Sequence, residues 1–143
     1  MPLETLFSVA SAIAAVGWLL LVLLPKLRSV QITTGIIIPL LLSALYLFLI
    51  VQNFSDAPGG FGSLADVSLL FSKQALLLAG WVHYLAFDLF IGAWEIRDSQ
   101  RHQIPHLVMI PCLLMTFMLG PIGLLFYFAI RTAKIRKLEL GAA

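Results

Sequence analysis

The sequence predicts an all-α fold, an integral membrane bundle of four transmembrane helices, and three observations carry that prediction. Of the 143 residues, 61% are hydrophobic and 11% charged, against roughly 25% charged in a soluble domain. Mean hydropathy is +1.02. The apolar residues gather into four stretches near the ~20 residues that cross about 30 Å of hydrocarbon. None of these stretches has the alternation of a membrane barrel. A backbone in lipid must satisfy its own polar groups, so each stretch is expected to be a helix.

The first span is expected over 3–24 and ends at "PKLR". No Lys or Arg precedes it, and a secretory signal would have a basic start and a shorter apolar run, so the span reads as uncleaved. The second, 32–51, is entered through "TTG" and contains Pro39. A long Gly- and Pro-bearing connection follows, with a short interfacial helix over 63–71 begun at Ser63. The third span, 75–94, carries His83 and Asp88, and a compact charged loop runs from Glu95 to His102. The fourth, 107–130, contains Pro111 and "GPIG", so a kink is expected at Gly120–Pro121. All four belong to one domain, 1–143. Small residues in spans one and three (Ala10, Ala14, Gly17; Ala79, Ala86, Gly92) suit close helix approach.

Net charge is +2 and scattered, which excludes nucleic acid as a partner; the lipid bilayer is the expected one. No Arg- and Ser-rich transit segment is present, and a bacterial inner membrane is the expected location. Four crossings place Lys26, Arg28, Arg97 and Arg101 on one side and Lys73, Arg131, Lys134, Arg136 and Lys137 on the other, so charge leaves orientation undecided. Re-entry of the fourth stretch at "GPIG" would instead gather the basic tail with the first group. Cys112, the only cysteine, lies mid-span and reads as packing.

Span three carries the candidate site. With about 100° per residue, Trp81, Tyr84, Asp88 and Glu95 share one stripe, while His83, Phe87, Phe90 and Trp94 share another. A carboxylate near mid-span costs about 2.5–3.5 kcal/mol on insertion scales, and such residues face the bundle interior and mark function. Asp88 is therefore the leading candidate, with His83 and Glu95 beside it as possible acid–base partners. A structural hydrogen bond from Asp88 to Tyr84 is the bland alternative. Trp81, Tyr84, Phe87 and Trp94 are candidate ligand-lining residues, and Trp18 and Phe48 fit the same apolar slot. His102 and His106 lie near the membrane edge, about 18 Å from His83, so an intrachain bis-histidine haem is not expected. Glu95, Asp98, His102 and His106, spaced three, four and four apart, form a weak metal-binding candidate. Pro105 interrupts them, interfacial ion pairing explains them equally well, and no metal or other cofactor is assigned.

The stretches "GWVHYLAFDL", "GAWEIRDS", "IPHL…P" and "GPIGLL" resemble the abscisic-acid-deficient-four-like family of small membrane proteins. Plant members are associated with neoxanthin synthesis, in which violaxanthin is rearranged to an allenic carotenoid. The resemblance implies a carotenoid or other isoprenoid ligand and a net isomerisation that needs no redox cofactor. Such a reaction takes an acid at the epoxide oxygen and a base at the adjacent polyene carbon. On these residues the acid would be Asp88, with His83 or Glu95 as base. His83 points about 140° away around the helix, so another helix or a second subunit of a homo-oligomer would have to bring it round. A non-catalytic pigment-, quinone- or lipid-binding protein and a structural subunit of a membrane complex remain open alternatives.

Overall fold

Apolar runs punctuated by proline and glycine build an all-helical protein in the computed structural model, which describes residues 2–135. Arg136 and Lys137, counted above among the basic residues, lie outside the described residues. The elements are α1 (Leu3–Leu23), α2 (Arg28–Ile32), a π-helical turn (Thr33–Ile37), α3 (Ile38–Asn53), α4 (Leu64–Ser72), α5 (Gln74–Arg101), α6 (His106–Leu119) and α7 (Pro121–Ile135). Three helical stretches, Leu3–Leu23, Arg28–Asn53 and Gln74–Arg101, are long and apolar enough to cross a membrane. The chain is an integral membrane protein.

α5 occupies the centre, with α1, α3 and the α6–α7 pair packed around it. α1 runs in its direction: Phe7 meets Trp81, Gly17 meets Leu89, and Trp18 lies over Gly92. α3 runs the other way, with Gly35 beside Arg97 and Tyr46 beside His83. The small residues make the close packing possible. Ala10, Ala14, Ala79 and Ala86 are buried, and a Cβ on Gly92 would sit 2.5 Å from the Trp18 ring.

The second span is continuous from Arg28 to Asn53 but not regular. Pro39 has no N–H to give and its ring crowds the carbonyl four residues back, so the preceding turn widens into the π form. The short helix after it begins at Ser63, whose hydroxyl accepts from the Asp66 N–H at 3.1 Å. Ahead of that helix, Lys73 ties the loop down by reaching Asp56 at 2.6 Å and the Asn53 carbonyl at 3.0 Å.

Two expectations need correction. The loop expected from Glu95 to His102 is helix as far as Arg101, because Glu95, Asp98 and Ser99 are buried against neighbouring helices. The fourth span is not one kinked helix either. At Gly120 (φ +49°) the chain reverses, and α7 folds back along α6 so closely that a Cβ on Gly123 would overlap the backbone nitrogen and Oγ1 of Thr116. A left-handed residue at this point needs glycine, and "GPIG" supplies two, one for the turn and one for the contact.

Both feet of this hairpin stand at the same end of the bundle. His106 of α6 bonds the Val22 carbonyl at 2.8 Å, and Arg131 of α7 pairs with Asp98 at 2.7 Å. The tip reaches the middle of α5, where the Tyr84 hydroxyl donates to the Phe117 carbonyl at 2.6 Å and the Asp88 carboxyl lies against Gly120. Arg131 and Lys134 therefore join Lys26, Arg28, Arg97 and Arg101 at one end, leaving Lys73 at the other.

Candidate functional site

From Tyr84 onward the acid-bearing stripe of α5 faces the hairpin. At the tip, Asp88 is half-buried, and its Oδ2 is shut from solvent with no hydrogen-bond partner among the described residues. The Tyr84 hydroxyl lies within hydrogen-bonding reach of Asp88, as expected, and also donates to the Phe117 carbonyl. Two turns deeper, Glu95 is 0% exposed, and the Thr116 hydroxyl lies 3.1 Å from each of its carboxyl oxygens. Beyond it the stripe ends in a cluster at the basic end. Asp98 accepts from the Tyr127 hydroxyl and pairs with Arg131, itself 0% exposed, while His102 lies 3.2 Å from Arg131 Nη2 and 3.6 Å from Asp98 Oδ1. Phe128 adds a ring 5.7 Å from the Arg131 guanidinium carbon.

These groups differ in what they are free to do. The Asp98 cluster is satisfied from several directions, as a buried ion pair must be to repay its desolvation. Glu95 is held by Thr116. Asp88 has an oxygen to spare, and buried polar atoms without partners are uncommon enough to point to a ligand or a reaction.

Above the hairpin tip the bundle is open. Because α6 and α7 cover only the basic half of this face, the other half is left as a cavity of about 640 Å³. Phe7, Phe71, Leu77, Trp81 and Tyr84 line it, and Glu4 stands at its rim. Tyr84 is one helical turn from Asp88, so the cavity ends near that carboxyl.

The structure divides the residues singled out from the sequence. Trp81 and Tyr84 share the cavity that approaches Asp88. His83 is on another face, stacked on Phe87 at 4.5 Å and near Tyr46 in a separate pocket of about 280 Å³. Phe87 itself lines a third groove with Phe90 and Pro39. Trp94 packs against Tyr127 and Phe128 at the foot of the hairpin. Trp18 is buried against Gly92 and Phe117, and Phe48 lies on the outer surface. Cys112 is a buried free thiol directed at the Val108 carbonyl. The spaced set Glu95, Asp98, His102 and His106 does not converge: Asp98 and His102 share the Arg131 cluster, Glu95 is held by Thr116 and His106 by the Val22 carbonyl, and the described residues contain no group of three potential ligands for a metal. Thr116, Tyr127 and Arg131 were missed as site residues. The four-residue spacing of Tyr127 and Arg131, matching that of Asp98 and His102, was the available signal.

These features define a class, an integral membrane protein with an ionisable stripe buried beneath an apolar lateral cavity. Within it the chain belongs to the ABA4-like family (ABA DEFICIENT 4-like), whose model matches residues 5–127. The match takes in Asp88, Glu95, Asp98, His102 and Tyr127 and stops before Arg131. No curated protein and no solved structure matches the chain.

Proposed function

We propose that the protein takes one end of a long isoprenoid, a carotenoid in the first instance, into the lateral cavity and acts on its polar end group through Asp88. The observation that carries this reading is the unpartnered Oδ2 of Asp88, one turn below the Tyr84 wall of that cavity. Membership of the ABA4-like family supports the substrate class. The aromatic lining suits a conjugated or ring-bearing chain, which gains contact with little entropy to lose.

The reaction this arrangement suits is an isomerisation of an epoxide end group. The Asp88 carboxyl, in its protonated form, gives its proton to the epoxide oxygen as the C–O bond on the polyene side breaks. The adjacent polyene carbon then loses its proton to the Asp88 carboxylate, and the C–H electron pair becomes the new double bond of an allenic alcohol. One proton is given and one returned, so no net oxidant, reductant or proton is consumed. Glu95 and His83 are not needed for this cycle. A single carboxyl is acid and then base.

The test is extraction of the protein from its native membrane in mild detergent, followed by an absorption spectrum and analysis of the organic extract. A stoichiometric isoprenoid supports the reading, with Asp88→Asn expected to keep the ligand and lose its conversion. A colourless protein with no extractable isoprenoid, whose substrate conversion survives Asp88→Asn, would sink it. Retained ligand without conversion by either form would mark a binding protein.

A further inference from the structure

We infer that the α6–α7 hairpin is re-entrant, that the chain crosses the bilayer three times with its basic end in the cytoplasm, and that the cavity is consequently loaded from the exoplasmic leaflet. The last clause rests on the reading of the cavity as an isoprenoid site. The first two rest on geometry and charge alone.

Length is the first argument. α6 has 14 residues and extends about 21 Å, short of the ~30 Å of hydrocarbon, and the 15 described residues of α7 cover about 22 Å. Their two feet meet α1 and α5 at one end of the bundle, at Val22 and Asp98, while the tip meets α5 at Tyr84 and Asp88. Gln74 and Arg101 bound α5, so the tip lies about halfway along it. A segment that begins and ends at one end and turns at mid-depth enters the membrane without crossing it.

The second argument is backbone chemistry. Irregular backbone at membrane depth is tolerated only where protein encloses it, since lipid offers no hydrogen bonds. Gly120 is buried, and its N–H donates to the Thr116 carbonyl at 2.9 Å. The next carbonyl, that of Phe117, has lost its helical partner and takes the Tyr84 hydroxyl instead. The turn is thus supplied with partners where lipid could give none.

Charge then sets the direction. The hairpin gathers Lys26, Arg28, Arg97, Arg101, Arg131 and Lys134 at one end and leaves Lys73 alone among the described Lys and Arg residues at the other. Setting Arg131 aside as half of a buried pair leaves the asymmetry intact. Lys and Arg are retained on the cytoplasmic side, so the basic end faces the cytoplasm. The cavity is built from the start of α1, the end of α4 and the first half of α5, all in the opposite half of the bundle. Its mouth therefore lies in the exoplasmic leaflet.

Single cysteines in a Cys112→Ala background test this with a membrane-impermeant maleimide on intact bacterial cells and on permeabilised ones. Ser55→Cys, Ser29→Cys and Ala133→Cys report the α3–α4 loop, the start of α2 and the end of α7, all exposed. The expected result is labelling of Ser55→Cys in intact cells, with the other two labelled only after permeabilisation. If Ala133→Cys labels together with Ser55→Cys, the hairpin crosses and the inference is overturned. If Ser29→Cys and Ala133→Cys label from outside while Ser55→Cys does not, re-entry stands but exoplasmic loading fails. The experiment involves no ligand, so its failure is separable from failure of the isoprenoid reading, which the extract decides.

Discussion

Asp98 of α5 and Arg131 of α7 meet at 2.7 Å inside the bundle, both almost fully buried, and together they pin the returning arm of the hairpin to the central helix. Removing one partner of such a pair strands the other charge in a medium that cannot solvate it. Arg131→Met is expected to cost about 3–5 kcal/mol in the wild-type background and clearly less beside Asp98→Asn, where no charge is stranded. Thermal unfolding of the four proteins in one detergent gives the coupling. Equal costs in both backgrounds would show that the pair does not hold the arm.

Gly123 makes the second contact of the hairpin. Gly123→Ala forces a methyl into the backbone of Thr116, and overpacking of this kind costs about 1–3 kcal/mol. Because Thr116 also holds Glu95, the same variant should loosen that bond, visible as faster hydrogen exchange across 112–119. Unchanged melting and exchange would mean that α6 and α7 can separate without penalty.

The cavity can be filled without touching the carboxyls. Leu77 is 55% exposed and lines the mouth, so Leu77→Trp should fold normally and bury the entrance under an indole. The isoprenoid recovered per mole of protein is expected to fall at least severalfold, with melting in detergent little changed. Full occupancy in this variant would place the ligand elsewhere, most simply in the groove beside His83.

The connection before α5 carries a pH-dependent tether. The hydrogen bond and charge of Lys73 hold the Asp56 carboxyl below its ordinary value of 3.8. A lowered value means that the folded loop binds the proton less readily than the free chain does. The tether is thus complete above that ordinary value and is lost as pH falls through the lowered one. Asp56 is fully exposed, so added salt should weaken the tether as well. Protection in 54–62, taken as the exchange rate relative to the intrinsic rate at each pH, should be constant from pH 7 down to about 4 and fall below it, with Asp56→Asn unprotected throughout. Exchange in that variant matching the wild type at neutral pH would refute the tether.

The sequence carried most of the helices, because hydropathy and span length speak directly to lipid. It also carried the small-residue seam of α1 and α5 and the acid stripe, since helical periodicity alone puts Asp88 and Glu95 on one face. It could not carry the direction of the chain after Gly120. A Gly-Pro step reads equally as a kink or a reversal, and the total apolar length of α6 plus α7 imitates one span. From that ambiguity came the missed partners. Arg131, which four crossings would place on the far side, is the counter-ion of Asp98, and Thr116 and Tyr127 looked like ordinary residues until the fold brought them to α5.

The π-helical turn at Thr33–Ile37 has a consequence for the basic end of the molecule. A π turn holds one more residue than an α turn, so shortening it by one would rotate everything before it by about 100° relative to α3. Gln31, whose amide now bonds both the Pro25 carbonyl and Gln100 Oε1 at 2.9 Å, would swing away from α5. Gln100, which reaches the same Pro25 carbonyl at 2.8 Å, would be left to hold the α1–α2 turn alone. The surplus residue thus works as a phase adjuster. It lets the membrane-embedded part of the second span pack by the needs of Gly35 and Pro39, while the polar clamp at its start stays aligned with a helix that follows a different register.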